Sequence, residues 1–108
     1  MDMFSALAEP TRRSILEMLA ESGQLSASDI YAKFRVSPPA ISQHLKALRE
    51  ANLVQVEKRA QQRLYQINPD SLIELSVWIQ HLTKQWEKRF NRLDKLLEVE
   101  KRKVRERG

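Results

Sequence analysis

The chain has 108 residues, 31% of them charged, a net charge of +5 and no cysteine. Such a length supports one domain with a modest core, or a smaller core completed by a second subunit, and the charge favours an anionic partner. Without cysteine there is no disulfide, thiolate metal site or cysteine nucleophile. No apolar run approaches the roughly 18 residues of a membrane helix, and the N-terminus lacks the basic-then-apolar order of a signal peptide. A soluble cytoplasmic protein is expected.

Met3, Phe4 and Leu7 form a short apolar stripe that predicts a first helix. Pro10 opens a second helix running to about Ser22, with Ile15, Leu16, Met18 and Leu19 inward and Gly23 just past its end. Ser26 and Asp29 outline a capping box, and Ile30, Tyr31 and Phe34 follow at helical spacing, so a third helix is expected to end near Arg35. Only Arg35 and Val36 then precede Ser37. That junction predicts the tight turn of a helix-turn-helix unit, although it lacks the frequent glycine.

Ser37 is a favoured N-cap and Pro38 suits the first helical position, where a missing N–H costs nothing. At 100° per residue Ile41, Leu45 and Leu48 fall on one inward stripe. Pro39, Gln43 and Lys46 cluster opposite, with Ser42 at the edge. A small, polar, basic outer face of this kind suits a DNA major groove: Gln pairs with adenine, Ser bonds either base, and Lys reaches guanine or phosphate. His44 lies about 60° from the inward stripe, which leaves helix packing, phosphate contact and base reading all open.

After Asn52, Val54 and Val56 alternate with Gln55 and Glu57, and Tyr65 and Ile67 alternate with Gln66, predicting two strands. Between them Lys58-Arg59-Ala60-Gln61-Gln62-Arg63 makes a basic, amide-rich hairpin tip. Following a reading helix, such a hairpin acts as a wing against the backbone or minor groove. Residues 35 to 63 carry six basic and two acidic side chains. Most of the excess charge therefore surrounds the reading helix.

From Pro69 the chain returns to helix, with Leu72, Leu75, Ile79, Leu82, Trp86, Phe90, Leu93 and Leu97 repeating about every 3.6 residues on one face. Continuous to Arg102, this helix would be on the order of 50 Å long. Trp86, Phe90, Leu93 and Leu97 then outreach their own subunit, and no Gly or Pro interrupts residues 70 to 107 to fold the helix back. A dimer is expected. The expected organisation is a single domain over 1–108: helices and wing over 1–68, a dimerisation helix over 69–102, and a frayed basic tail over 103–108.

Taken in this order, residues 3 to 98 resemble the ArsR family of small winged-helix transcriptional repressors. The carrying segments are Glu-Pro-Thr-Arg-Arg-Ser-Ile-Leu at 9 to 16, the run from Ser37 to Val54, and the tyrosine-bearing second wing strand. The resemblance implies a mainly α fold with a small β-hairpin, a homodimer joined by its first and last helices, a palindromic double-stranded DNA operator, and repression of its own operon. It places base reading at Ser37, Pro39, Ser42 and Gln43. With the basic positions added, the expected DNA-binding set is completed by Lys46, Arg49, Lys58, Arg59, Gln61, Gln62 and Arg63. The expected dimer set is Met3, Phe4, Leu7, Ile79, Leu82, Trp86, Phe90, Leu93 and Leu97.

Where many family members carry a Cys-x-Cys metal pair, this chain has Ser26 and Ser28. Hydroxyls do not replace thiolates for soft metals, and His81 stands without a second histidine nearby. No metal and no cofactor are expected, and the metal-independent branch is the nearest match. The family's Gly-Arg wing turn is Ala60-Gln61 here, leaving Arg59 or Arg63 to replace the minor-groove arginine. Glu9 stands where Asp is usual, a weaker cap. The chain has no glycine-rich phosphate loop and no paired acid motif, so it is not read as an enzyme. Two other readings stay open: a protein-interaction module built on the last helix, and a ligand-responsive regulator with Trp78 and Trp86 lining a pocket.

Overall fold

A computed structural model describes residues 2–107 of the chain, leaving Met1 and Gly108, the ends of the expected 1–108 domain, outside the described residues. Five helices and three strands follow in the order α1 (Met3–Leu7), α2 (Pro10–Ser22), β1 (Gln24–Ser26), α3 (Ala27–Ala32), α4 (Pro38–Glu50), β2 (Val54–Arg59), β3 (Gln62–Ile67) and α5 (Pro69–Arg107). The fold is mainly helical with a small antiparallel sheet, as the sequence predicts. Two compact units divide at Leu72 and Ile73.

Local chemistry sets most element ends in the first unit. Glu9 caps α2 by accepting from the Arg12 backbone N–H at 3.0 Å, and Pro10 occupies the first position. Gly23 closes the helix at φ 85°, a left-handed conformation that a side chain would strain. Ser26 and Asp29 complete a reciprocal capping box, the Ser26 hydroxyl accepting from Asp29 N and the Asp29 carboxylate from Ser26 N. Helix α3 stops at Ala32, not near Arg35, so four residues, Lys33 to Val36, and not two separate it from the Ser37 cap. Phe34 keeps its helical spacing but packs against the core from the turn.

The sheet has three strands rather than two, in the order β1-β3-β2, because Gln24–Ser26 pairs with β3 through Leu25 opposite Tyr65. Strands β2 and β3 also extend further than their side-chain alternation, to Arg59 and Gln62. The turn is therefore only Ala60-Gln61. Ala60 sits at φ 53°, where L-residues other than Asn and Asp pay roughly 1–2 kcal/mol. Ala60→Gly is expected to relieve that cost while adding about 0.4–1 kcal/mol of unfolded-state entropy. Thermal unfolding should then show a rise of a few degrees.

The core joins Ala6 of α1, Ile15, Leu16 and Leu19 of α2, Ile30 of α3, Ile41, Leu45 and Leu48 of α4, Ala51 and Leu53 of the turn after it, and Val54 and Tyr65 of the wing. In the second unit α5 continues to Arg107, past the expected end at Arg102. Every described side chain from Ser76 to Arg105 is exposed in the single chain. No helix among the described residues is long and apolar enough to cross a membrane.

Candidate nucleic-acid interface

Helix α4 is held at both ends and along its inner face. The Ser37 hydroxyl accepts from Ala40 N at 3.4 Å. At the other end Asn52 turns left-handed at φ 60°, Leu53 N donates to Leu48 O, and Asn52 N donates to Arg49 O. This is a Schellman closure with Asn at the left-handed position, and buried Leu53 and Leu48 supply its apolar contact. The Asn52 carbonyl then accepts from Asn68 Nδ2 at 2.9 Å and from the Ser71 hydroxyl. Ile41, Leu45 and Leu48 are buried, while Ser37, Pro39, Ser42, Gln43, Lys46 and Arg49 are all exposed. The two faces separate as the helical wheel requires.

Two arginines that the sequence reading left without a role anchor the neighbouring helices. Arg12 donates through Nε to Ala6 O at 2.7 Å and through Nη2 to Ser5 O at 3.1 Å, and Arg13 donates to Leu7 O at 2.7 Å. Together they satisfy the Ala6 and Leu7 carbonyls at the end of the short α1 and add a second donor to Ser5 O, which already accepts from Ala8 N. The third Arg12 nitrogen lies 3.4 Å from His44 Nδ1, which is 3.7 Å from Glu9 Oε2. His44 is thus a packing residue between α4 and α2. Partial burial works against ionisation of Glu9, but the Arg12 N–H and the nearby His44 outweigh it and hold the carboxyl below its usual range. A charged Glu9 suits the positive end of α2.

On the outer face the Tyr31 phenol, from α3, lies 3.3 Å from Ser42 Oγ. Sequence reasoning missed this contact, because only the packing of α3 on α4 creates it. The wing residues Lys58, Arg59, Gln61, Gln62 and Arg63 are exposed. Register places Lys58 opposite Arg63 and Arg59 opposite Gln62. Arg59 leans on Glu57 at 3.0 Å, an exposed ion pair of little energetic weight. Lys58 and Arg63, by contrast, are like charges directly across the ladder, an arrangement that costs stability until an anion shields it. Arg63 and Tyr65 of β3 face Ser42, Gln43, Leu45, Lys46 and Arg49 of α4 across a cleft of about 160 Å³.

The other expected positions separate. Met3 and Leu7 pack against the protein's own core, whereas Phe4 is largely exposed. Ile79, Leu82, Trp86, Phe90, Leu93 and Leu97 are 46–67% exposed along α5, joined by Leu96 and Val104. Ser26 is buried with its hydroxyl committed to the α3 cap, so it does not fit a metal ligand. His81 is exposed with its Nε2 3.1 Å from Gln85. Among the described residues no three His, Cys, Asp or Glu side chains are grouped to hold a metal ion.

A capped helix with a buried inner stripe and a polar, basic outer face, preceded by a short turn and followed by an antiparallel hairpin, defines a winged helix-turn-helix module that binds DNA. The chain belongs to the ArsR family of bacterial regulatory proteins, whose family model matches residues 9–56. It is a DNA-binding transcription regulator and not an enzyme. It is 35% identical over 78 residues to the transcriptional repressor SdpR of Bacillus subtilis, spanning 72% of this chain and 86% of that protein. Over 70 residues it is 34% identical to an arsenical resistance operon repressor of Staphylococcus xylosus, covering 65% of this chain and 66% of the relative. The structure of an ArsR-like transcriptional regulator from Rhodococcus sp. RHA1 superposes with a TM-score of 0.75 at 28% identity, over 86% of this chain and 87% of the other.

Proposed function

We propose that the protein is a homodimeric repressor of its own operon that places one α4 helix in each of two major grooves of a palindromic operator. The observation that carries this is the division of α4 into a buried stripe and an exposed face of Ser42, Gln43, Lys46 and Arg49. Half-sites then lie about one helical turn, roughly 10 bp, or a small multiple apart. Ser42 and Gln43 read bases, with Ser37 and Pro39 at the groove entry. Lys46, Arg49, Lys58, Arg59 and Arg63 contact phosphates, aided by Gln61 and Gln62. The second copy covers the apolar face of α5 together with Met3, Phe4 and Leu7. A bound dimer overlapping a promoter excludes polymerase.

Gln43→Ala is expected to narrow the gap between selected and random duplexes by about 1–3 kcal/mol, while Arg59→Ala weakens both alike and flattens the salt dependence. Fluorescence anisotropy at several salt concentrations checks the pair. Equal loss of discrimination in both variants would refute the division of labour.

The proposal includes a metal-independent mode of control. Its support is the hydroxyl chemistry of Ser26 and Ser28 where the family's thiolates stand, with Ser26 already spent on a helix cap. Micromolar zinc or arsenite is expected to leave the protein on its DNA. Release at those concentrations, measured by the same anisotropy, would assign a metal-sensing role instead.

A further inference from the structure

Tyr65 is the residue that the repressor reading leaves unused. It sits on the central strand, paired with Leu25 on one side and Val56 on the other, and is only 6% exposed. Its hydroxyl makes no hydrogen bond among the described residues, although no fully buried side-chain oxygen or nitrogen there lacks a partner. The hydroxyl therefore reaches solvent, and the residue lines the cleft between α4 and the wing. A rigid ring thus presents one spare donor to that cleft.

Lys46, Arg49 and Arg63 are the charged side chains lining the cleft, and no acid joins them. Glu50 approaches Lys46 only at 4.0 Å, through an exposed pair. Lys58 shares the Arg63 face of the hairpin, since cross-strand partners project to the same side. Three cations and a neutral hydroxyl match a tetrahedral oxyanion, whose several lone pairs each take a charge-assisted bond. At about 160 Å³ the space falls below the roughly 300 Å³ of ordinary small-molecule pockets. It has room for a phosphate and not for a drug-sized effector.

We propose that this cleft is the seat of one backbone phosphate of the bound duplex, with the Tyr65 hydroxyl donating a hydrogen bond to it. The inference rests on the DNA-binding reading and adds a register device to it. A donor fixed in the core sets how far α4 enters the groove, whatever the base sequence.

The test compares wild type, Tyr65→Phe and Arg63→Gln on two duplexes, one selected from a random pool and one of scrambled sequence. Tyr65→Phe should weaken both by the same factor, roughly tenfold. Its salt slope and thermal midpoint should match wild type, because the hydroxyl carries no charge and makes no internal bond. Arg63→Gln should weaken both and reduce the salt slope by about 1. Wild-type affinity of Tyr65→Phe for both duplexes would overturn the phosphate seat, as would a loss confined to the selected duplex. Saturation of the free protein by micromolar inorganic phosphate would assign the cleft to a small anion and also overturn it. The wild-type preference for the selected duplex reports separately on the repressor reading, which fails only if that preference is missing.

Discussion

Glutamate at both position 90 and position 93 is expected to turn the protein into a monomer and to weaken binding to a two-half-site operator by about a hundredfold or more. Phe90 and Leu93 are 52% and 53% exposed in the single chain, between Trp86 and Leu97 on the same face. The stripe holds that face because its 4, 3 and 4 residue steps keep close to the helical period. Fully burying one such side chain is worth about 1.5–3 kcal/mol, so the half that remains exposed offers roughly 1 kcal/mol each. A twofold interface counts every residue twice. The double substitution removes that gain at four places and forces four carboxylates to be desolvated or kept apart. A monomer then engages a single half-site with half the phosphate contacts. Sedimentation velocity reads the assembly and anisotropy the affinity; a variant that stays dimeric would move the interface elsewhere.

Leu48→Ala is expected to cost about 2–5 kcal/mol of stability, since Leu48 is fully buried on the inner face of α4 and packs at its Schellman closure. For the compact first unit that is a fall in thermal midpoint of roughly 10 °C or more. The same helix carries Gln43 on its outer face, where truncation is expected to leave the stability within about 0.5 kcal/mol of wild type. The two variants therefore separate folding from reading. Leu48→Ala, assayed well below its midpoint, should still prefer the selected duplex, whereas Gln43→Ala should melt normally and discriminate poorly. Calorimetry and anisotropy on the same preparations supply both numbers.

What the sequence made legible follows the range of the interactions involved. The bounds of α2 and the start of α4 depend on Glu9-Pro10, Gly23 and Ser37-Pro38, whose effect is exerted within a turn, and the sequence predicts them where they occur. The end of α3 is not legible in the sequence because Phe34 keeps the apolar period while leaving the helix to reach the core. Strand β1 has no signature in the sequence, since three residues carry no alternation and its ladder partner lies some forty residues away in β3. The wing strands run on to Arg59 and Gln62 because backbone pairing does not need alternating side chains.

The interface divides along the same line. Pro39, Gln43 and Lys46, with Ser42 at the edge, could be placed on one face from helix geometry alone, and they are exposed together with Arg49, which entered on its charge. Arg12, Tyr31 and Tyr65 could not, since each acquires its role from a partner on another element: the α1 carbonyls, Ser42, and the cleft under α4. The Glu-Pro-Thr-Arg-Arg motif gains a physical reading from the structure. Glu9 and Pro10 start one helix while Arg12 and Arg13 finish the one before it.

Selection of duplexes from a random pool by the purified protein, followed by nuclease footprinting of the enriched sequence, tests the central claim most directly. The expected result is one enriched inverted repeat, with half-sites about 10 bp or a small multiple apart and two protected major-groove segments related by twofold symmetry. Enrichment of no sequence, with uniform weak protection along every duplex, would contradict it.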